Sequence, residues 1–129
     1  MFKGAAAGKT TKAIGDAAET RALGWLQAQG LVLVQRNYRV ARGPRARGGE
    51  IDLIMRERSG ELVFVEVRAR RDGRFGGATA SISASKRQRI IFAASCYLAG
   101  LASVPPCRFD VLALEGEQVQ WLKAAFDTS

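Results

Sequence analysis

With 129 residues, 47% of them hydrophobic and 25% charged, the chain has the make-up of one globular domain with its own core, not of a disordered tail. No stretch approaches the roughly 18 consecutive apolar residues that cross a bilayer, and residues 1–12 hold Ala, Gly, Lys and Thr without an apolar signal core, so a cytoplasmic protein without a membrane span is expected. A net charge of +8, from 20 Lys and Arg against 12 Asp and Glu, predicts a polyanionic partner, DNA or RNA, although a basic surface can also serve solubility alone.

Residues 1–12 read as a loose tail ahead of a single domain over 13–127. Gly8, Lys9 and Thr10 have the flavour of a phosphate-binding loop, but Gly4 stands too close and no strand precedes it, so that motif is rejected. Ala18, Ala22, Trp25 and Leu26 recur at helical spacing over 12–29, and Gly30 is placed to cap the helix. Glu19 shares the face of Ala22, Leu23 and Leu26, so it leans toward the core; a surface pair with Arg21 or a tail lysine is the other reading. Residues 31–34 and 38–40 read as strand, with Arg36 and Asn37 at a bend. A Gly/Pro/Arg-rich loop over 41–49 follows, so Arg39, Arg42, Arg45 and Arg47 crowd one short basic stretch suited to phosphate.

Residues 50–55 and 62–67 form two β-rich runs joined through Arg58-Ser59-Gly60, a hairpin signal. Arg68, Arg70, Arg71 and Arg74 make a second basic group, running into a glycine-rich loop at 72–77. A second helix is expected over 85–99, capped by Ser83 or Ser85. Lys86, Arg87 and Arg89 sit in its first turns, where cations oppose the helix dipole by roughly 0.3–1 kcal/mol each. A bound phosphate would offset that, most plainly at Lys86; a solvated turn is the alternative. Strands over 109–114 and 118–122, joined at Glu115-Gly116-Glu117, complete the order α-β-β-β-α-β-β, an α/β fold with a mixed sheet of about five strands flanked by helices. Phe109 is expected in the core and Asp110 beside an arginine. Cys96 and Cys107 are expected as small buried thiols, and a zinc site is not, since the chain has no histidine and no CxxC pair.

Chemistry concentrates in Gly49-Glu50-Ile51-Asp52-Leu53-Ile54 and Phe64-Val65-Glu66-Val67-Arg68. Strand alternation predicts Glu50 and Asp52 on one face with Ile51, Leu53 and Met55 on the other, and Glu66, Arg68 and Arg70 opposite Val63, Val65 and Val67. Hairpin register then decides the site. A two-residue turn pairs 52 with 67 and parts the acids; a three-residue Arg58-Ser59-Gly60 loop sets Asp52 across from Glu66 and Glu50 across from Arg68. Two carboxylates that close repel unless a cation lies between them, and oxygen ligands suit Mg2+ or Mn2+. The competing reading is a Glu50–Arg68 salt bridge with Asp52 capping a nearby group.

An acid in one strand followed by Glu-x-Lys/Arg in the next resembles the PD-(D/E)XK nuclease superfamily. Over residues 15–127 the chain is similar to the YraN family of bacterial proteins, through Glu19-x-x-Ala22-x-x-Trp25-Leu26, Arg36-Asn37-Tyr38-Arg39, the two strand motifs, Lys86 and Arg108-Phe109-Asp110. The resemblance implies a restriction-endonuclease-like fold and a divalent-metal site of Asp52, Glu66 and the Val67 backbone carbonyl, with Glu19 added as in resolvase-type nucleases. It implies phosphodiester hydrolysis, with Arg68 holding charge on the phosphate where many superfamily members carry lysine. The clustering of positive charge predicts nucleic-acid contacts from Arg39, Arg42, Arg45, Arg47, Arg70, Arg71, Arg74 and Lys86. The rival functions are a non-catalytic DNA- or RNA-binding module with a degenerate site, and an adaptor using the basic surface alone. The sequence leaves oligomeric state open, although nucleases of this class often need two sites to cut two strands.

Overall fold

Apolar residues every three or four positions wind Thr11–Ala28 into a helix, α1, whose Ala22 and Leu26 are fully buried. The computed structural model describes residues 11–70 and 82–128. The first ten residues of the expected tail lie outside that range, as do Arg71, Arg74 and the glycine-rich loop at 72–77. The Gly30 N–H donates to the Gln27 carbonyl at 3.0 Å and the Leu31 N–H to the Leu26 carbonyl at 3.2 Å, which satisfies carbonyls the last helical turn leaves free.

Five strands follow: β1 (Val32–Val40), β2 (Gly49–Arg56), β3 (Leu62–Arg70), β4 (Cys107–Glu115) and β5 (Gln118–Phe126), with helix α2 (Ala84–Ala99) between β3 and β4. They form one sheet in the order β1-β2-β3-β4-β5. All neighbours are antiparallel except β3 and β4, whose parallel pairing needs the α2 crossover. This α/β architecture and element order are those the sequence predicts.

The helices cover opposite faces. Under α1, Ala22 and Leu26 pack on Leu53, Met55, Val63, Val65, Leu112 and Leu114. Under α2, Ile90, Ala93 and Ala94 pack on Ile51, Ile54, Leu62, Phe64 and Phe109. With both faces covered, β3 reads as the near-continuous apolar run its sequence shows.

Three expectations need correction. Residues 31–40 are not two strands about a bend: β1 is continuous, with a register shift between Leu33 and Gln35 and with Asn37 at φ 55 inside it. Nor do Ile51, Leu53 and Met55 share a face, since Ile51 belongs to the α2-side cluster and the other two to the α1-side cluster. The cause lies across the strand: Asn37 falls opposite Asp52 in the β1–β2 register, and its left-handed backbone turns both strands over at that point. Finally, Cys96 and Cys107 are free thiols, but half-buried, not buried. Among the described residues no helix is long and apolar enough to cross a membrane.

Candidate functional site

The hairpin takes the three-residue form. The Glu57 N–H donates to the Glu61 carbonyl and the Gly60 N–H to the Glu57 carbonyl, both at 2.9 Å, with Gly60 at φ 93 where a side chain would be strained. The ladder runs from Arg56↔Leu62 to Leu53↔Val65, and the next position in that register sets Asp52 against Glu66. There the strands part. The Val67 N–H donates to Asp52 Oδ2 at 2.8 Å, so a side chain stands in for the ladder carbonyl. In an extended strand, N–H and C=O of one residue point toward the same neighbour. The Val67 carbonyl therefore lies along the same opened edge as Asp52.

Both acids are buried, Asp52 to 8% exposure and Glu66 to 4%. Glu19 leans in from α1, and Arg36 of β1 holds it, with Nε 3.7 Å from Glu19 Oε1. Arg36 also donates to the Asp16 carbonyl and the Thr20 hydroxyl, so this arginine ties β1 to α1. The partner of Glu19 is thus neither Arg21 nor a tail lysine. Burial first, then the charge of Asp52, push the Glu66 carboxyl up to about 8 and the Glu19 carboxyl up to about 7. Burial raises Asp52 too, against the Val67 N–H and the charge of Lys86, which favour its ionised form.

Two cations face this cluster. Lys86 Nζ, from the first turn of α2, and Arg68 Nη1, from β3, each stand 3.8 Å from Glu66 Oε2. Glu66 Oε1 and Glu19 Oε1 are buried with no hydrogen-bond partner. Among the described residues no three His, Cys, Asp or Glu side chains converge as the ligand set of one ion. Glu50, expected across from Arg68, has Oε2 3.8 Å from Arg39 Nε.

The basic groups divide by task. Ser83 caps α2, accepting from the Lys86 N–H at 3.0 Å. Arg87 turns back to the Ile82 carbonyl at 2.9 Å, while Lys86 goes to Glu66. Arg42 lies over the Phe92 ring at 4.5 Å, which docks the 41–48 loop on α2. Arg45 and Arg47 are exposed on that loop, and Arg70 ends β3 in register with Glu115.

Sequence reasoning reached only part of a second polar centre. Phe109 is in the core and Asp110 pairs with Arg108 at 3.0 Å, as expected. Arg108 Nη1 also reaches Glu57 at 2.6 Å and Glu61 at 2.8 Å, which locks the hairpin to β4. Asp110 accepts from Trp121 Nε1 at 2.8 Å and the Ala124 N–H at 2.9 Å. Those partners arrive through strand pairing, and no local pattern announces them.

The profile described as "Uncharacterised protein family UPF0102" matches residues 18–114, a span that holds Glu19, Asp52, Glu66, Arg68 and Lys86. A UPF0102 protein of Methylibium petroleiphilum is 62% identical over 120 residues, 93% of this chain and 98% of its own length. One from Paracidovorax citrulli is 60% identical over 124 residues, 96% and 90% of the two chains. One from Cupriavidus taiwanensis is 56% identical over 116 residues, 90% and 84%.

Proposed function

The chain belongs to the UPF0102 family, the YraN family its motifs resemble, and from its acidic cluster we propose that it is a divalent-metal-dependent nuclease hydrolysing DNA or RNA phosphodiesters. One observation carries the reading: the Glu66 carboxyl is 4% exposed, lies against Asp52, and has an oxygen with no hydrogen-bond partner. A buried carboxylate left so is expensive, and a cation between the two acids would remove both the repulsion and the orphaned oxygen. The donors are all oxygen, which fits Mg2+ or Mn2+. Asp52, Glu66 and the Val67 carbonyl would hold the ion, with Glu19 within reach of Asp52 as a further acid. Such an ion supplies a water activated at neutral pH and charge to neutralise the phosphate.

The chain's own cations do the rest. Lys86 and Arg68 flank Glu66 from α2 and β3, so both can hold non-bridging phosphate oxygens as negative charge grows. Arginine is bulky and always protonated. Lys86 offers the compact charge that the β3 position lacks, delivered from a helix instead of the strand.

A second reading has its own observation. Three carboxylates do not converge among the described residues, and Glu66 already has two cations near it, as suits a nucleic-acid-binding module with a degenerate site. Calorimetry with Mn2+, paired with cleavage of labelled linear, branched and single-stranded substrates, separates the two. The nuclease reading expects one Mn2+ site and cleavage, both abolished by Asp52→Asn or Glu66→Gln and by chelator. Mn2+ binding that survives both substitutions would sink it.

A further inference from the structure

Next to the acidic cluster, the end of β1, the start of β2 and the middle of α2 surround a cavity of about 420 Å3 lined by Arg39, Arg47, Gly48, Gly49, Glu50 and Arg89. Two of its lining residues are glycines packed tightly against neighbouring backbone. A β-carbon on Gly48 would overlap the Val40 carbonyl oxygen, and one on Gly49 would overlap the Arg89 carbonyl oxygen and crowd Ala93. The ends of β1 and β2 and the middle of α2 therefore meet backbone to backbone at these glycines, which sets the spacing of Arg39, Arg47 and Arg89 around the cavity.

Its walls carry an excess of positive charge. Three guanidiniums face one carboxylate, and Arg39 already stands 3.8 Å from that carboxylate, Glu50. Among the described residues no ion pair balances Arg47 or Arg89. Arg89 Nε is buried and has no hydrogen-bond partner. A buried guanidinium N–H with nothing to accept it costs stability, and an oxyanion in the cavity would satisfy it with a charge-assisted bond. The neighbouring cations of the same helix are engaged elsewhere, Lys86 with Glu66 and Arg87 with the Ile82 carbonyl.

We infer that this cavity is a phosphate pocket that seats a second phosphate of the strand whose backbone meets the Asp52–Glu66 site. Guanidinium forks match phosphate oxygens in geometry, and the net positive charge of the lining suits a phosphate with one or two negative charges. Glu50 links the sites, since it lines the cavity and its charge also bears on Asp52. The identity of the strand rests on the nuclease reading, but the pocket's chemistry does not.

The test uses the full chain with chelator present, so that cleavage plays no part. Binding is measured by anisotropy for one short oligonucleotide carrying a 5′-phosphate and for the same strand with a 5′-hydroxyl. Inorganic phosphate serves as competitor. Arg89→Gln and Arg47→Gln should each weaken strand binding about tenfold, the loss of one charge-assisted contact. Arg58→Gln, exposed on the hairpin loop, should leave it unchanged. A preference for the phosphorylated strand that either substitution removes places a strand end in the pocket. An equal loss for both strands places an internal phosphate there, and either result supports the inference. Should Arg89→Gln lower the melting temperature, Arg47→Gln, on an exposed loop, carries the test. Strand affinity indifferent to both substitutions overturns the inference, as does binding of inorganic phosphate without any strand affinity. A protein that never cuts, yet loses strand affinity with these variants, keeps the pocket and loses the nuclease reading.

Discussion

Neighbouring strands of the sheet bury a carboxylate each, and the two are treated in opposite ways. Asp110 on β4 is 0% exposed and Glu66 on β3 is 4% exposed. Asp110 is saturated: Oδ1 accepts from Arg108 Nε and the Ala124 N–H, and Oδ2 from Trp121 Nε1, all within 3.0 Å. Glu66 has cations only at 3.8 Å, an acid beside it, and one oxygen with no partner. Burial alone thus says little about what a carboxylate is for. Where every lone pair is filled from within, the group holds the fold together; where some are left, the fold bears a strain that a ligand can relieve.

The largest expected effect tests the saturated side of that contrast. Asp110→Asn sets an amide donor among the Trp121, Ala124 and Arg108 N–H groups and should destabilise the protein by about 1–3 kcal/mol in a urea titration, while Glu57 and Glu61 still balance Arg108. Glu66→Gln, in metal-free protein at neutral pH, should be close to neutral, because a carboxyl pushed up to about 8 is already largely uncharged there and glutamine keeps its size and polarity. Equal destabilisation by the two substitutions would erase the distinction. On the other side, Lys86→Ala should lower the cleavage rate on the order of a hundredfold, the scale for removing one preorganised charge from a reacting group. Its melting temperature should hardly move. A loss of stability with unchanged cleavage would make Lys86 a structural partner of Glu66.

Titration gives the next test. The folded-state values of about 8 for Glu66 and about 7 for Glu19 lie above the ordinary 4.5, so the native state holds these protons more tightly than the unfolded chain. Their contribution to stability is complete below about pH 4.5 and is lost as pH climbs through the raised values. Metal-free wild type should therefore lose stability relative to Glu66→Gln between pH 5 and pH 9, by up to about 1.4 kcal/mol per pH unit for one proton. Parallel stability curves for the two proteins would mean that Glu66 titrates normally.

Much of this arrangement was legible in the sequence, and the reason differs residue by residue. Turn chemistry fixed the hairpin: Gly60 at the end of a three-residue loop sets the register that brings Asp52 to Glu66. Glu19 leaned inward because helical spacing put it among Ala22, Leu23 and Leu26. The inversion at Asn37 and Asp52 could not be read the same way, since alternation is a local rule and its breach serves distant partners. Arg36 must face α1 to meet Glu19, while Tyr38, two residues on, must face α2 to meet the Tyr97 ring edge-to-face at 5.4 Å. Lys86 was legible as a cation with a possible phosphate, but not as a neighbour of Glu66, because which way a helix is turned over a sheet is decided by its packing. The Arg108 network was half legible: Asp110 lies two residues away, whereas Glu57, Glu61 and Trp121 come from other strands.

Arg68 gives the smallest expected effect. Read from sequence alone, it is the only cation of the Phe64-Val65-Glu66-Val67-Arg68 motif, and on the nuclease reading Arg68→Ala ought to destroy cleavage while Arg68→Lys keeps it. Lys86 changes that expectation, because its ammonium stands as close to Glu66 Oε2 as the Arg68 guanidinium does. On the nuclease reading, Lys86 already supplies a compact charge from α2, and the Arg68 fork would clamp a phosphate oxygen. Arg68→Ala should then slow cleavage by about tenfold, the worth of one charge-assisted contact. Arg68→Lys keeps the charge but not the fork, and should fall between that variant and wild type. The double substitution Lys86→Ala with Arg68→Ala should fall below the product of the two single effects if the cations compensate for one another at Glu66. A rate that collapses with Arg68→Ala and barely responds to Lys86→Ala would return the leading role to the strand. In that case the helix lysine would balance Glu66 much as Arg108 balances Asp110.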